Sequence, residues 1–318
     1  MSNEPRTLLE AIKHFAKPAV THNLLVGLRW PTGVHCPNCG RVDVRYITTR
    51  RLWECKEKHP KRQFSARVGT IFEDSPLGLD KWFAGIWMVA NCKNGISSYE
   101  MARDLGITQK SAWFLDHRIR LAMKAGSIMK ADGEFEADES FIGGLSKNMH
   151  ISKRKQVIKG TGSSTKTAVM GILRRKDDKQ GSKVKAKIIP NVKAATLQPY
   201  IRDTLASGAT INTDAWLGYR GLQGDYGHQV IDHAYEYVRG QVHTNGIENF
   251  WSLLKRTIKG TYISVEPFHL GAYLDEQAFR FNERDDDDYG RFKKVLSSAF
   301  GKRLTYSELT GNGQAPSA

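Results

Sequence analysis

The amino-acid sequence predicts a multidomain α+β protein, in which hairpin and helical domains precede an α/β core with a mixed five-stranded sheet. Three observations predict this order: paired cysteines come first, helical periodicity extends to about residue 130, and alternating apolar segments begin at residue 134. With 318 residues, the chain can form two or three domains. The predicted segments are a helical lead at 1–29, a metal-binding ribbon at 30–72, a helix-turn-helix region at 78–130, the core at 131–284 and, at 285–318, an acidic linker, a helix and a disordered tail.

The composition is that of a globular protein with a strong positive charge. Hydrophobic residues make up 40% and charged residues 25% of the chain, and the net charge is +15. The chain has no apolar run of about eighteen residues, and its N-terminus lacks the basic and apolar regions of a signal peptide. We therefore expect an intracellular protein that binds a polyanion and no membrane.

The ribbon segment has the ligand spacing of a zinc ribbon. Cys36 and Cys39 form one pair, and Cys55 and His59 form a second pair after fifteen intervening residues. Two such pairs, each on a tight turn and joined by a hairpin, bind one structural Zn²⁺ in a tetrahedral site. His35 is an alternative fourth ligand, and a small core of buried thiols is the alternative without metal.

Residues 97–124 have the pattern of a helix-turn-helix. Ser97 or Ser98 opens a short helix, Gly106 lies at the turn, and Thr108 caps a second helix. On the second helix we expect DNA-facing groups at Lys110, His117, Arg118 and Arg120. The expected packing groups are Ala112, Leu115, Ile119 and Ala122. A three-helix bundle without a ligand is the alternative.

From residue 134 the apolar pattern becomes alternating. Three strands, a helix and two further strands are predicted, in the order 134–144, 165–175, 183–191, 195–208, 209–216 and 227–235. Three strands in a meander, a crossover helix and then further strands are the element order of the ribonuclease-H-like fold.

Three acidic residues fall at converging positions of this layout. Asp138 lies within the first strand, Asp214 ends the fourth strand, which pairs with the first, and Glu248 lies on the following helix. Such carboxylates can hold two Mg²⁺ ions about 4 Å apart, which activate an attacking oxygen and stabilise a leaving one. Each acid also has a structural alternative: a salt bridge for Asp138, a helix cap for Asp214 and a capping box for Glu248.

The segment HTNGIENFWSLLKR, residues 243–256, predicts this helix. Glu248 and Lys255 are seven residues apart and project from one side of it. Asn245 and Glu248 also have the spacing of a capping box, with Asn245 as the cap. The apolar stripe that faces the core is Ile247, Trp251, Leu254 and Ile258.

Charge is unevenly distributed along the chain. Residues 146–187 contain thirteen Lys or Arg residues against two Asp residues. We assign contact with a nucleic-acid backbone to the run Lys153, Arg154 and Lys155. A solvated loop is the alternative. Four consecutive aspartates at 285–288 are expected to form a solvated linker.

Several motifs together resemble one known family: CPNCG with the downstream WEC, QFSARVGTIF, ADESFIGG, NTDAWLGY, and HTNGIENFWSLLKR followed by FRFNER. Over residues 20–285 the chain resembles the DDE transposases of bacterial insertion sequences, in the ISXO2-like group that has an N-terminal zinc ribbon and is related to Merlin elements. The resemblance implies that Asp138, Asp214 and Glu248 bind two catalytic Mg²⁺ or Mn²⁺ ions and that Lys255 contacts DNA near them. Members of this group can use Asn as the third residue, so Asn245 is an alternative to Glu248.

A transposase of this kind cleaves DNA at the ends of an insertion sequence and transfers the freed 3′-OH into target DNA. The implied partners are double-stranded DNA, as terminal inverted repeats and as target, and further copies of the chain assembled on it. The implied location is the prokaryotic cytoplasm, in association with the nucleoid. Two alternatives stay open: a structure-selective nuclease on the same fold, which would cut without joining, and a DNA-binding regulator with an inactive core.

Overall fold

The structure is a computed structural model, and it describes residues 4–124, 132–144, 166–178, 180–231 and 242–312. The basic run Lys153, Arg154 and Lys155 lies outside these residues. The chain divides into two compact units, Met1–Met123 with Asp286–Ala318, and Lys124–Asp285. None of the helices in the described ranges is long and apolar enough to cross a membrane.

Aromatic packing organises the helices of the first unit. The first three are α1 (Leu8–Phe15), α2 (Pro18–Arg29) and α3 (Leu79–Asn91). Every residue of α3 from Trp82 to Ala90 is buried. Phe15 contacts Phe83 edge to face, with ring centroids 5.2 Å apart. Helix α3 is therefore the central element, on which α1 and α2 pack.

The ribbon of the first unit is a three-stranded antiparallel sheet. Its strands are β1 (Val44–Ile47), β2 (Leu52–Cys55) and β3 (Gln63–Phe64), in that order across the sheet. Trp53 and Phe64 are buried with ring centroids 6.1 Å apart, and Trp30 lies 5.4 Å from Trp53. These rings give the small sheet an apolar core beside its cysteines.

Two helices and a tight turn lie where the helix-turn-helix pattern predicts them. Helix α4 (Ser98–Leu105) is capped by Ser97, whose side chain accepts a hydrogen bond from the Glu100 N–H. Gly106 ends α4 in the left-handed conformation, with φ of 59°, which suits a residue without Cβ. Thr108 caps the first turn of α5 (Gln109–Met123) by accepting from the Ser111 N–H. The predicted packing residues Ala112, Leu115, Ile119 and Ala122 are all buried.

The same helix corrects the prediction of which cations face DNA. His117, Arg118 and Arg120 are buried, with only 3%, 5% and 2% of their surface exposed. The prediction that they contact DNA is therefore wrong. Lys110, at the start of α5, is exposed, and its ammonium lies 4.6 Å from the centre of the Tyr306 ring.

Arg118 has a structural role. Its guanidinium donates hydrogen bonds to the carbonyl oxygens of Ile71, Glu73 and Leu304. These three carbonyls belong to segments far from α5 in sequence, so a pattern local to α5 does not show them. Arg118 thereby joins α5 to two distant parts of the first unit.

The C-terminal segment is part of the first unit and contains α9 (Asp288–Ser297) and α10 (Tyr306–Leu309). Phe292 on α9 stacks on Phe15, with ring centroids 4.9 Å apart. The acidic run that we predict to be a solvated linker instead starts α9. Asp287 accepts from the Gly290 N–H at 2.6 Å, and Asp286 pairs with Lys294 at 3.0 Å. Negative charge is stabilising at this end of a helix.

The second unit is built on a mixed five-stranded sheet. Its strands are β4 (Glu134–Ile142), β5 (Thr167–Arg174), β6 (Lys183–Ile188), β7 (Thr210–Asp214) and β8 (Gly227–Ile231). Their order is β6-β5-β4-β7-β8, in which β4, β5 and β6 are antiparallel neighbours and β7 and β8 are parallel to β4. The five predicted strands are confirmed, and β4 is central.

Helices cover both faces of this sheet. The predicted crossover helix, α6 (Ala194–Thr204), packs in the apolar core of one face. Helices α7 (Asn245–Thr257) and α8 (Leu270–Asn282) pack in the core of the other face, and a π-helical turn at Ile258–Tyr262 continues α7. Because β4 lies between two apolar layers, each polar side chain on it needs a partner or a function.

Candidate active site and zinc centre

Asp138 and Asp214 come from the neighbouring strands β4 and β7. These strands are parallel, with Glu136 opposite Asn212, and the two aspartates lie two residues further along each strand. Adjacent strands are about 4.8 Å apart. The fold therefore brings the two carboxylates close together at the centre of the sheet.

Glu248 extends this group from helix α7. It lies in the first turn of the helix and is exposed, while the predicted stripe of Ile247, Trp251, Leu254 and Ile258 is buried against the sheet. The Thr244 hydroxyl donates to Glu248 Oε1 at 2.7 Å. Lys255 is exposed on the same helix, about 10 Å along the axis from Glu248.

The three carboxylates share one electrostatic neighbourhood. Burial, and then the negative charges of Asp214 and Glu248, raise the pKa of Asp138 to about 6. Asp138 Oδ2 accepts a hydrogen bond from Trp251 Nε1 at 3.0 Å, which links β4 to the middle of α7. A divalent cation bound by these acids would relieve their repulsion.

The start of α7 differs from the predicted capping box. The helix begins at Asn245, which is exposed, and the N-cap residue Thr244 makes no side-chain capping hydrogen bond. The N–H of Ile247 instead donates to Oε2 of Glu136, a residue of β4, at 2.8 Å. A carboxylate from another element therefore takes the place of the local cap, and the assignment of Asn245 as the cap is wrong.

Glu136 and Arg175 are residues of this region that the sequence analysis misses. Glu136 is 1% exposed, and its Oε1 accepts from Arg175 Nε at 2.8 Å. Arg175 also donates to the backbone carbonyl of His243 at 2.7 Å. A usable signal is the alternation of β4, which places Glu136 and Asp138 on one face.

Glu139 is a fourth carboxylate beside the group and is also missed. Burial, and further the charges of Asp138 and Asp214, raise the pKa of Glu139 to about 7. The buried Tyr219 hydroxyl lies beside the Glu139 carboxyl, and their hydrogen bond partly offsets the rise in the pKa of Glu139. The alternation of β4 places Glu139 on the face of the sheet opposite to Asp138.

The carboxylate group has the donor chemistry of a Mg²⁺ or Mn²⁺ site. Mg²⁺ takes oxygen ligands, commonly one or two carboxylates together with water. Within the described ranges, only the cysteine and histidine group of the ribbon has all its ligand atoms within 4.8 Å of one another.

We expect Asp138→Asn to stabilise the protein in Mg²⁺-free buffer at neutral pH. Because the folded-state pKa is raised to about 6, the wild-type chain loses stability as pH rises from about 4 through 6. This loss amounts to about 3 kcal/mol at pH 7.5, and the neutral Asn avoids it. Thermal unfolding at pH 4 and pH 7.5 measures the difference, which should be present at pH 7.5 and small at pH 4. The same difference at both pH values would contradict the assigned cause.

The predicted zinc ligands form a compact group in the ribbon. Cys36, Cys39, Cys55 and His59 each offer a ligand atom, and these atoms lie within 4.8 Å of one another. Cys36 Sγ is 3.4 Å from His59 Nε2, and Cys39 Sγ is 3.7 Å from Cys55 Sγ. A tetrahedron with Zn–S bonds of about 2.3 Å has edges of about 3.8 Å. The group therefore has the size and the donors of a structural zinc site.

Local hydrogen bonds prepare two of these ligands. Although burial opposes it, the backbone N–H groups of Asn38 and Cys39 lower the pKa of the Cys36 thiol to about 7. His59 Nδ1 lies 2.7 Å from the Pro60 carbonyl oxygen, an arrangement that places the proton on Nδ1 and leaves Nε2 for a metal. The alternative ligand His35 is exposed and packs on Trp30 at 6.0 Å.

Two protein-family models match this chain. Residues 130–282 match the ISXO2-like transposase domain, and residues 19–57 match the transposase zinc-ribbon domain. The first match covers the described strands β4 to β8 and helix α7, and the second covers three of the four ribbon ligands.

Two relatives are similar along much of their length. An uncharacterized protein in transposable element ISH50 of Halobacterium salinarum is 29% identical over 261 residues, which is 77% of this chain and 84% of the relative. An uncharacterized transposase-like protein of Haemophilus influenzae is 32% identical over 104 residues, which is 32% of this chain and 84% of that protein.

Proposed function

The chain belongs to the family of ISXO2-like transposases, and from this premise we propose that it cleaves the ends of an insertion sequence and joins the freed 3′-OH to target DNA. The observation that carries the proposal is the convergence of Asp138, Asp214 and Glu248 from β4, β7 and α7. The sheet order, with a crossover helix before β7, supports a ribonuclease-H-like core.

Asp138, Asp214 and Glu248 would together hold two Mg²⁺ or Mn²⁺ ions. When bound, such ions activate the attacking oxygen and stabilise the leaving oxygen of an in-line displacement. Asp138 and Asp214 come from rigid neighbouring strands, and the hydrogen bond from Trp251 fixes the orientation of the Asp138 carboxylate. Glu248 comes from a helix held to the sheet by its buried stripe.

The reaction has two displacements at phosphorus. A water oxygen first attacks the phosphodiester at the element's end, and the 3′ oxygen leaves and is protonated. That 3′-OH then attacks a phosphodiester of the target, forms the new bond and releases a 3′-OH of the target strand. No bond to the protein forms, so the chain contributes positioning and charge.

Exposed cations would hold the DNA. Lys255 lies on the same side of α7 as Glu248, where its ammonium is available to a phosphate near the carboxylates. Lys110 is exposed at the start of α5, the second helix of the helix-turn-helix, and is the DNA contact that we propose there.

Two further parts of the proposal concern zinc and assembly. One Zn²⁺ per chain, held by the three cysteines and His59, would fix the fold of the ribbon. An element has two ends that must be cut and joined together, so we propose that two or more copies of the chain assemble on DNA.

The test of the function is an assay with purified protein, a DNA duplex carrying an element end, Mg²⁺ and a plasmid target. A transposase produces both a cleaved end and a strand joined to the plasmid. Cleavage without joining, when the freed 3′-OH is supplied, would favour the structure-selective nuclease. Binding without either product would favour the DNA-binding regulator.

We expect the basic run Lys153, Arg154 and Lys155 to contribute non-specific DNA affinity. Each neutralised phosphate releases counterions and adds about 0.9 to the slope of log affinity against log salt. Replacing all three by Ala should therefore flatten the slope by up to about 2.7. The matched control removes the same charge at the exposed residues Arg6, Lys13 and Lys17. If the slope of log affinity against log salt is the same in the wild type and the triple Ala variant, the run does not contact DNA and is a solvated loop.

A further inference from the structure

We infer that Glu136 is a positioning residue, which holds the first turn of α7 and thereby sets Glu248 relative to Asp138. The inference rests on the proposed function, because it concerns the residue assigned there as the third metal ligand. Glu136 itself is buried and faces the helix backbone, so it acts through α7.

The first turn of α7 lacks a local side-chain cap. The opening N–H groups of a helix need acceptors, and α7 has no side-chain cap of its own. Glu136 Oε2 accepts from the Ile247 N–H at 2.8 Å, in the middle of the first helical turn. The next residue along the helix is Glu248, so the anchored backbone is directly adjacent to it.

Two neighbouring side chains, Arg175 and His243, fix the position of Glu136. We call Glu136, Arg175 and His243 the Glu136 network. Arg175 donates from Nε to Glu136 Oε1 at 2.8 Å and from its terminal nitrogen to the His243 carbonyl at 2.7 Å. His243 Nδ1 lies 3.4 Å from Glu136 Oε1. The network therefore ties β4 and the end of β5 to His243, two residues before α7 begins.

Helix α7 also approaches β4 closely at its first turn. A Cβ on Gly246 would lie 2.9 Å from Glu136 Oε2 and 3.1 Å from Leu173 Cδ2, so the helix start fits because this residue has no side chain. The second contact with β4 is the hydrogen bond from Trp251 to Asp138. Anchors at 247 and 251 are one helical turn apart and determine both the position and the rotation of α7.

These contacts allow two independent perturbations of one geometry. Glu136→Gln keeps the shape and the acceptor for Ile247 but loses one of the two negative charges that hold Arg175, and Glu134 keeps the other. Gly246→Ala keeps every charge and pushes the first turn away from β4. The matched control is Asn282→Ala, which removes two hydrogen bonds with the backbone of Val184 in the same unit and leaves α7 untouched.

The experiment measures Mn²⁺ affinity of the full chain without DNA, by electron paramagnetic resonance of free Mn²⁺, and hydrogen exchange in peptides covering 244–251. Groups that orient a metal ligand contribute about ten- to a hundredfold to metal affinity, and Glu136 orients Glu248 through the adjacent backbone N–H of Ile247. We expect at least a tenfold loss and faster exchange at the start of α7 in both variants, with Mn²⁺ affinity unchanged in Asn282→Ala.

Three results would overturn the inference. If Glu136→Gln and Gly246→Ala bind Mn²⁺ as tightly as Asn282→Ala does, the Glu136 network has only a structural role. A loss of affinity without faster exchange in 244–251 would place the effect outside α7. If Glu248→Gln also leaves Mn²⁺ affinity unchanged, the metal role of Glu248 fails and the inference fails with it. If Glu248→Gln weakens Mn²⁺ binding but Glu136→Gln and Gly246→Ala do not, the inference fails and the proposed function is unaffected.

Discussion

Replacing Glu248 by Gln is expected to lower strand cleavage by about a thousandfold or more, while folding and DNA binding are retained. The amide keeps the shape of the side chain and an acceptor for the Thr244 hydroxyl, which contacts Glu248 Oε1 at 2.7 Å. It removes the negative charge that a pair of divalent cations requires, and metal stabilisation of the transition state is worth several kcal/mol.

Asn245→Ala is the matched control for this variant. Asn245 lies on the same turn of α7, is exposed, and is the first residue of the helix rather than its cap. Its replacement should leave cleavage near the wild-type rate and cost well under 1 kcal/mol of stability. Gel analysis of cleaved and joined products, with unfolding curves for both variants, completes the comparison.

Two outcomes would contradict the assignment. Full loss of cleavage by Asn245→Ala with an active Glu248→Gln would make Asn245 the third catalytic residue. Near wild-type cleavage and joining by both variants would exclude the start of α7 from the metal site.

The second large effect concerns the ribbon. Cys39→Ser should abolish stoichiometric zinc binding and unfold residues 30–72, because a structural Zn²⁺ contributes on the order of 10 kcal/mol to such small domains. Cys39 Sγ is 3.7 Å from Cys55 Sγ, so a missing thiolate opens one edge of the tetrahedron. Metal analysis and near-ultraviolet circular dichroism, which reports the packing of Trp30 and Trp53, measure the result.

Two control variants separate ligand loss from general damage. Cys92→Ser changes a cysteine outside the metal group, and His35→Ala changes the exposed alternative ligand. Both should retain one zinc per chain. Zinc loss in His35→Ala with full retention in His59→Ala would reassign the fourth ligand, and absence of zinc from the wild-type protein would remove the site.

Sequence reasoning succeeds in this chain where one short pattern determines the structure. The alternation from 134 onwards predicts the five strands, the spacing of Ile247, Trp251, Leu254 and Ile258 predicts the buried face of α7, and Ser97, Gly106 and Thr108 bound their helices. The ligand spacing of the ribbon likewise predicts the group around Cys36, because a hairpin is the only connection required.

The errors arise where a distant segment changes the environment of a local pattern. Arg118 has the sequence features of an exposed cation, yet its donors meet the carbonyl of Leu304, 186 residues away. Asn245 has the features of a cap, but Glu136 accepts the helix N–H from 111 residues earlier. Both cases depend on tertiary contacts that neither periodicity nor spacing contains.

The division of the first unit between the two ends of the chain has a consequence for synthesis. During translation, α3 and α5 leave the ribosome before the whole of the second unit, while Phe292 and the carbonyl of Leu304, which contact Phe15 and Arg118, leave it after that unit. Domains generally fold as they emerge, N-terminal first. In this chain the second unit is complete before the first, because the first unit needs residues from both ends of the chain.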